Sequence, residues 1–393
     1  MLSADRLFAW RQKAQDRLKE MGGMPTRKHE AFRYFLPVLY PEPVLQRPEQ
    51  PVSFSLFSEC PYRVVFIDGF YSQEHSLLPK EILCLSIPEA MQSYGVFLQH
   101  RMQKLGKEEI DPFALWNGAF QGEGVLLYVH PECTIDEKIQ IHCYSVSNQM
   151  AMPRIHLYVG RNSRLELIQT SNETVYCNAY FDATLDENSF CRFVQRQAGC
   201  EKSLFFQSVR ATLKKESRFE SLAFMQGAKA SRSSYRVQLA EEKSEALLQG
   251  LSRLDGERQN HVHVLVEHAA IETRSRQHFK GILFDKALSS FEGKILVKAI
   301  AQKTEAYQLN ANLPLGEETQ VYSKPNLEIF ADDVKASHGA TIAQIAEEDL
   351  FYLRSRGLSR EEAHRFLIRG FCRDLIDAAP FAGITQGFVD ELA

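Results

Sequence analysis

The spacing of hydrophobic positions changes twice along the chain. Near the amino end it is helical: Leu7, Trp10, Ala14, Leu18 and Met21 fall on one stripe. This predicts a helix with Ser3 as its N-cap and Gly22-Gly23 as its end. A second short helix is expected over 27–35, stopped by Pro37, with Arg27, Lys28 and Glu30 on a solvated face. Residues 1–36 thus form an N-terminal helical region. Residues 37–61 read as an extended linker, carrying Pro37, Pro41, Pro43, Pro48 and Pro51. Residues 62–124 read as a small α/β element. It comprises a strand at Arg63-Val64-Val65-Phe66-Ile67, a turn at Asp68-Gly69, the return at Phe70-Tyr71, a helix over 88–105, and another capped by Asp111 and ending at Phe120.

From 125 to 340 the period shortens to two and long helices vanish. Short strands alternate with turn residues, and turn-proximal serines recur at Ser163, Ser189, Ser217 and Ser244, at spacings of 26, 28 and 27. Further strand starts fall near Asn178, Ser203 and Ser233, so each repeat holds two strands. Such a period suggests a β-solenoid, in which a single rung cannot bury its own inward face and stacking makes a continuous core. A β-sandwich also accommodates short strands, but the regular period favours the solenoid. Leu165 and Leu167 are expected inward, Arg164 and Glu166 outward.

After 340 the helical period returns, giving a C-terminal helical domain over 341–393. One helix is expected from Glu347 to Arg356, ended by Gly357. The next is opened by the Ser359/Glu362 capping box and runs to about Ala378, with Ala363, Phe366, Leu367, Phe371 and Leu375 as its apolar face. Pro380 follows.

Composition narrows the function. The 393 residues carry a formal net charge of -4, which argues against a general nucleic-acid binder. No stretch reaches the roughly 18 apolar residues of a membrane span, and the first residues lack the apolar core of a signal peptide, so the cytoplasm is the expected compartment. The eight cysteines form no C-x-x-C pair and are expected to pack as small apolar residues. No P-loop, nucleophile elbow or H-E-x-x-H segment is present, so the chain is not expected to hydrolyse nucleotides itself.

Three groups of residues invite chemistry. His261 and His263, two apart on an expected strand, share a face and suit a metal, although satisfied structural histidines are the more economical reading. Asp332-Asp333 suits a hard cation and opens the alternative of a β-helix carbohydrate-active enzyme; a purely structural interaction protein is the other. In Lys335-Ala336-Ser337-His338-Gly339, the imidazole of His338 is expected at a strand end, presented by a glycine turn.

The stretch K-P-N-L-E-I-F-A-D-D-V-K-A-S-H-G-A-T (324–341), followed by L-F-Y-L-R-S-R-G (350–357) and L-I-R-G-F (367–371), resembles the SufB/SufD family of iron–sulfur cluster assembly proteins. The likeness continues through Q-N-H-V-H-V-L-V-E-H (259–268), F-E-G-K-I (291–295) and A-Q-K-T-E-A-Y-Q (301–308). P-T-R-K-H-E-A-F-R-Y (25–34), F-I-D-G-F (66–70) and D-P-F-A-L-W-N-G-A-F (111–120) resemble the SufD branch. This resemblance implies a mainly β fold with a right-handed parallel β-helix core. It implies a non-ATPase scaffold subunit that pairs with a SufB-like subunit through the β-helix, or as a homodimer when isolated, and docks a SufC-like ATPase on helices 347–378. ATP-driven movement would expose a nascent, transient iron–sulfur cluster site between the two β-helices, with His338 as this chain's ligand and no permanently bound cofactor. The family often has cysteine two positions before this histidine; here that position is Ala336.

Overall fold

A computed structural model describes residues 2–27, 29–48 and 55–390, without the side chains of 2–6, 102–107, 172 and 173. Its centre is a two-sheet β-solenoid. Successive strands alternate between the sheets, so that each sheet is built almost wholly from parallel neighbours. The first sheet has ten strands and runs from the antiparallel edge strand Phe70–Leu77 to Val334–Ile342 at the other edge. The second has nine and runs from Ile82–Ser86 to Gln320–Ile329. The alternation expected for one strand holds: Leu165 and Leu167 are buried in the core, while Glu166 faces out, 3.4 Å from Arg192 on the next rung.

The serine repeat marks one corner of the solenoid. At each rung a residue adopts the left-handed conformation, with φ from 53° to 60° at Glu132, Asn162, Asn188, Glu216, Lys243, Glu272 and Lys303. From Asn162 onward, a buried hydroxyl residue follows each. Ser189 Oγ donates to Asp186 O at 2.7 Å, Ser217 to Lys214 O at 2.7 Å and Ser244 to Glu241 O at 2.8 Å. Thr273 and Thr304 continue the column with the same bond, which the serine spacing alone does not reach. A small hydroxyl serves here because it satisfies a carbonyl the tight corner leaves out of the ladder.

The amino-terminal part departs from its sequence reading. The first helix, α1, spans Leu2–Glu20, so Ser3 lies inside it rather than capping it. The helix expected over 27–35 is a single 3₁₀ turn, Glu30–Phe32, and Lys28 lies outside the described residues. The helix expected over 88–105 is two, α2 (Ile87–Ser93) and α3 (Gly95–Glu108), broken at Tyr94, whose φ of -119° leaves the helical range. The Asp111 cap is present: its Oδ1 accepts from Phe113 N at 2.9 Å and opens α4 (Pro112–Phe120). The proline-rich segment is tied down at Pro43–Val44, where Val44 N donates to Met150 O at 3.1 Å. Pro51 is outside the described residues.

Helices α1 to α4 cover the outer face of the second sheet over a layer of buried charge. Arg154, fully buried, lies 3.7 Å above the Tyr180 ring and 4.7 Å from that of Trp10, and its Nη1 donates to Asn117 Oδ1 at 2.9 Å. Nearby, Arg101 pairs with Asp182, Arg210 with Glu109 at 2.8 Å, and Arg232 with Asp111 at 3.2 Å. Removing one partner from such a pair leaves a buried charge uncompensated, typically a loss of about 3–5 kcal/mol. These pairs weld the N-terminal helices to the solenoid.

At the other end α5 (Glu347–Ser355) stops at Gly357 (φ 97°), and α6 (Arg360–Asp377) opens with the expected capping box at Ser359 and Glu362. A third helix, α7 (Ala382–Asp390), follows Pro380 and lies beyond those expected from the sequence. Ile368, Cys372 and Leu375 of α6 and Ile384 and Phe388 of α7 pack on the first sheet's outer face, against Val194, Leu222, Phe224 and Leu251. No described helix is long and apolar enough to cross a membrane.

Candidate functional site

The solenoid is closed at its first rung and open at its last. The edge strands at the start are covered by the antiparallel additions Phe70–Leu77 and Ile82–Ser86. At the far end, Val334–Ile342 and Gln320–Ile329 each have one strand neighbour among the described residues. Ala343 N donates to Asn312 O at 3.1 Å, toward the neighbouring strand. By the alternation of a parallel ladder the odd-numbered residues bond inward along the sheet, and Ala336, His338 and Ala340 turn their backbone groups to the free edge. Two long unpaired edges side by side are a template for further strands. Exposed Ile329, Phe330 and Ile342 add an apolar rim.

His338 sits in the middle of its strand, not at its end, and Gly339 does not adopt a positive φ. The glycine-turn reading is therefore wrong, and the register supplies a better one. Ala336 pairs with Ala306 and His338 with Gln308, and both partners are buried core residues of the preceding rung. His338 thus occupies an inward column, exposed because no rung lies above it. Beneath it Gln308 Nε2 donates to Gln277 Oε1 at 2.6 Å, and Asn312 Nδ2 to Asn310 Oδ1 at 2.8 Å. Gly293 leaves room for this amide, since a Cβ at that position would press on Gln308 Nε2 and the side chain would have to shift. Across the mouth stands buried Ser323 Oγ, without a hydrogen-bond partner, as is Gln308 Oε1. The mouth is therefore a polar cup with an imidazole at its lip.

The other candidates fall elsewhere. His261 is buried under the N-terminal segment. Its Nδ1 is 2.6 Å from Ser290 Oγ and its Nε2 2.8 Å from Gln259 Oε1, with the Phe35 ring against it. Burial and then Arg232 push its pKa down to about 3 and that of His263 to about 4. His261, with both ring nitrogens bonded, is a satisfied structural histidine. His268 faces inward between the hydroxyls of Thr273 and Ser275, each at 2.8 Å. His278 lies outward, 3.5 Å from Asp374 of α6. Asp332 and Asp333 are exposed, and among the described residues no three His, Cys, Asp or Glu groups come together as a metal site. Five of the eight cysteines, Cys60, Cys143, Cys177, Cys191 and Cys372, are buried free thiols, and none is near His338 in the register.

A second surface lies on the C-terminal helices. Phe371 turns inward, where Lys280 Nζ lies 5.0 Å from its ring and donates to its carbonyl oxygen at 2.7 Å. Phe366 points to solvent and is 61% exposed, as are Phe351 (74%) and Tyr352 (56%) of α5. Phe366 is therefore not part of the buried stripe on which the helical spacing placed it; Ile368 and Cys372 take that place.

Comparison with known proteins now adds to this geometry. Residues 142–371 match the family model described as SUF system FeS cluster assembly, SufBD core domain, and 58–141 that of the SufBD protein N-terminal region. The chain is 28% identical over 393 residues to the iron–sulfur cluster assembly protein SufD of Escherichia coli, covering 95% of this chain and 90% of that one. It is also 28% identical to an iron–sulfur cluster assembly SufBD family protein of Synechocystis, over 82% of this chain and 75% of the relative. A chloroplastic protein of Arabidopsis thaliana is 27% identical over 80% of this chain and 66% of its own length. With both family models laid end to end over a solenoid of the expected kind, the chain belongs to the SufBD family of iron–sulfur cluster assembly proteins.

Proposed function

We propose that this protein is a SufD-like, non-ATPase scaffold subunit on which a nascent iron–sulfur cluster is assembled in trans with a homologous, SufB-like subunit. The observation that carries this is the open last rung: two unpaired strand edges frame an inward histidine that has no thiolate beside it. A second solenoid meeting these edges would extend both sheets and close the mouth over His338. Iron–sulfur irons prefer thiolates, with imidazole able to replace some of them. His338 then supplies nitrogen and the partner supplies sulfur ligands, the cluster being cargo rather than a resident group.

The exposed Phe351, Tyr352 and Phe366 are the dock for a SufC-like ATPase. Work done there reaches the mouth through α6, which Lys280 and Asp374 bind to the first sheet at 2.6 Å. Anaerobic reconstitution of the co-purified complex tests the reading. His338→Ala should leave assembly of the subunits and ATPase activity intact while cutting cluster formation at least roughly tenfold. Cluster formation at the wild-type rate would remove the histidine from the site.

A further inference from the structure

The outer face of the first sheet carries two columns of charge that alternate from rung to rung. The first is Arg218, Glu245, Arg274, Glu305 and Lys335, register neighbours on successive strands. Successive members lie 3.7, 3.3, 3.8 and 3.5 Å apart at their charged atoms. The second is the corner column Glu216, Lys243, Glu272 and Lys303, with Glu216–Lys243 at 3.7 Å and Glu272–Lys303 at 3.5 Å. Asp333 comes next, its carbonyl oxygen accepting from Lys303 N. The columns run in antiphase, so a rung that is positive in one is negative in the other. Both reach the open edge, where Asp333 and Lys335 are exposed on the last rung.

A parallel or antiparallel strand laid on this edge meets the two columns two residues apart, since side chains on one face recur at every second position. Like charges directly opposite destabilise a strand pair and opposite charges stabilise it. We propose that the strand docking on Val334–Ile342 presents a carboxylate to Lys335 and a cation to Asp333, and that this pair of charges selects a homologous but different subunit over a second copy of this chain. The proposal rests on the reading that this edge is a subunit interface.

Self-pairing offers these two charges no complement. A two-fold axis makes residue i meet j and j meet i. With that axis over any of residues 337–339, Lys335 meets a residue from 339–343 and Asp333 one from 341–345. Those residues are Gly339, Ala340, Thr341, Ile342, Ala343, Gln344 and Ile345, none of them charged. For Lys335 and Asp333 to meet each other's copies, the axis would have to lie at Val334, leaving most of the strand unpaired. A homodimer therefore offers neither charge a counter-charge from the partner strand, leaving Lys335 with Glu305 of its own chain alone, whereas a heterologous strand can complement both. Exposed pairs of this kind contribute little to affinity singly, but they set the register, the partner choice and the association rate.

The double reversal Asp333→Lys with Lys335→Glu keeps the net charge and tests this. The probe is the second SufBD-core subunit of the same organism, with association followed by surface plasmon resonance. At about 0.05 M salt the reversal should weaken heterologous binding roughly three- to tenfold, chiefly in the association rate, and at about 0.5 M salt the difference should shrink toward nothing. Self-association of the isolated chain, read by sedimentation, should not change. Wild-type affinity and salt dependence in the reversed protein would overturn the proposal. Ala340→Pro, whose lost N–H faces the free edge rather than the ladder, separates the two levels. If it abolishes the heterologous complex while the charge reversal is silent, only the charge selection fails; if it too is silent, the edge is not the interface.

Discussion

Gln308 lies directly beneath His338 in the inward column of the first sheet, and its amide is fixed by a 2.6 Å bond to Gln277 on the rung below. One of the two residues is buried and built into the core; the other is exposed at the mouth. Their substitutions should therefore separate. His338→Ala removes no packing and should change the melting temperature by less than about 1 °C, since exposed substitutions fall within roughly 0.5 kcal/mol. Gln308→Ala strands the Gln277 amide in the core and should cost about 1–3 kcal/mol, visible as a lower urea midpoint. If His338→Ala destabilises as much as Gln308→Ala, the imidazole is a core residue and not a lip residue.

The two aromatic residues of α6 make opposite predictions. Phe366→Ala should leave stability nearly unchanged and weaken ATPase-subunit binding, with roughly 1.5–3 kcal/mol at stake for a fully buried anchor. Phe371→Ala removes the ring against Lys280 and should lower the melting temperature. Isothermal titration of each variant with the ATPase subunit, beside a thermal melt, checks both. Unchanged affinity for Phe366→Ala would place the dock elsewhere.

Some of this was legible in the sequence for a definite physical reason, and some was hidden for another. Ser189, Ser217 and Ser244 could be read because a solenoid corner repeats one local bond, and a local bond leaves a local residue preference; Ser163 keeps the place in the column but donates to His130 O on the preceding rung. Thr273 and Thr304 make the same bond with a different residue and longer rungs, so the period hid them. Gly339 misled because glycine signals a turn only where φ is positive; here it lies in an extended strand beside Leu309. Phe366 misled because helical spacing assigns a face but not the width of the surface beneath it. That His338 faces inward was out of reach, since it depends on pairing with Gln308, thirty positions away in the chain and fixed by register alone.

The solenoid's tolerance to insertion follows from its corners. An extra residue between Glu166 and Leu167 exchanges inward for outward side chains and should lower the melting temperature by several °C. The corner before Ser189 is no safer, because Asn188 is held at φ 53° and its Nδ2 donates to Asn162 Oδ1 at 2.8 Å. The exposed loop at Cys200, Glu201 and Lys202 has no residue at positive φ, only the turn bonds between Cys200 and Ser203, and should accept the same insertion with less loss. Equal losses at 166 and at 201 in differential scanning fluorimetry would contradict the rung register.

Acid should destabilise the fold in two separate windows. His261 and His268 are held neutral by burial, with pKa values lowered to about 3, and His263 to about 4. An unfolded imidazole titrates near 6.5. Between that value and the folded ones the unfolded chain binds more protons, so stability falls as pH falls from about 6.5 toward 4. Asp182, next to Arg101 and His156, is shifted downward despite its burial, so its contribution is lost only below about 3.9. His268→Gln should flatten the upper window without touching the lower one. An unchanged slope of urea midpoint against pH between 6.5 and 4.5 would count against a neutral buried His268.

Ala336 supplies the last prediction. It lies on the same inward face as His338, two residues away and therefore about 6.6 Å along the strand, above buried Ala306 and packed, like Leu327, on the apolar cluster of the last rungs. A cysteine there adds one sulfur atom, and the mouth is open above it, so Ala336→Cys should fold with a melting temperature close to wild type. Its thiol should react with a small aromatic disulfide in the isolated chain, beside the exposed Cys200, and become protected once the heterologous subunit covers the mouth. With both sulfur and nitrogen on one chain, the variant complex should retain more iron after gel filtration than wild type. Adding His338→Ala should cancel that gain, because the thiolate alone then lacks its neighbour. If the introduced thiol reacts equally fast before and after the partner binds, the last rung is not what the partner covers.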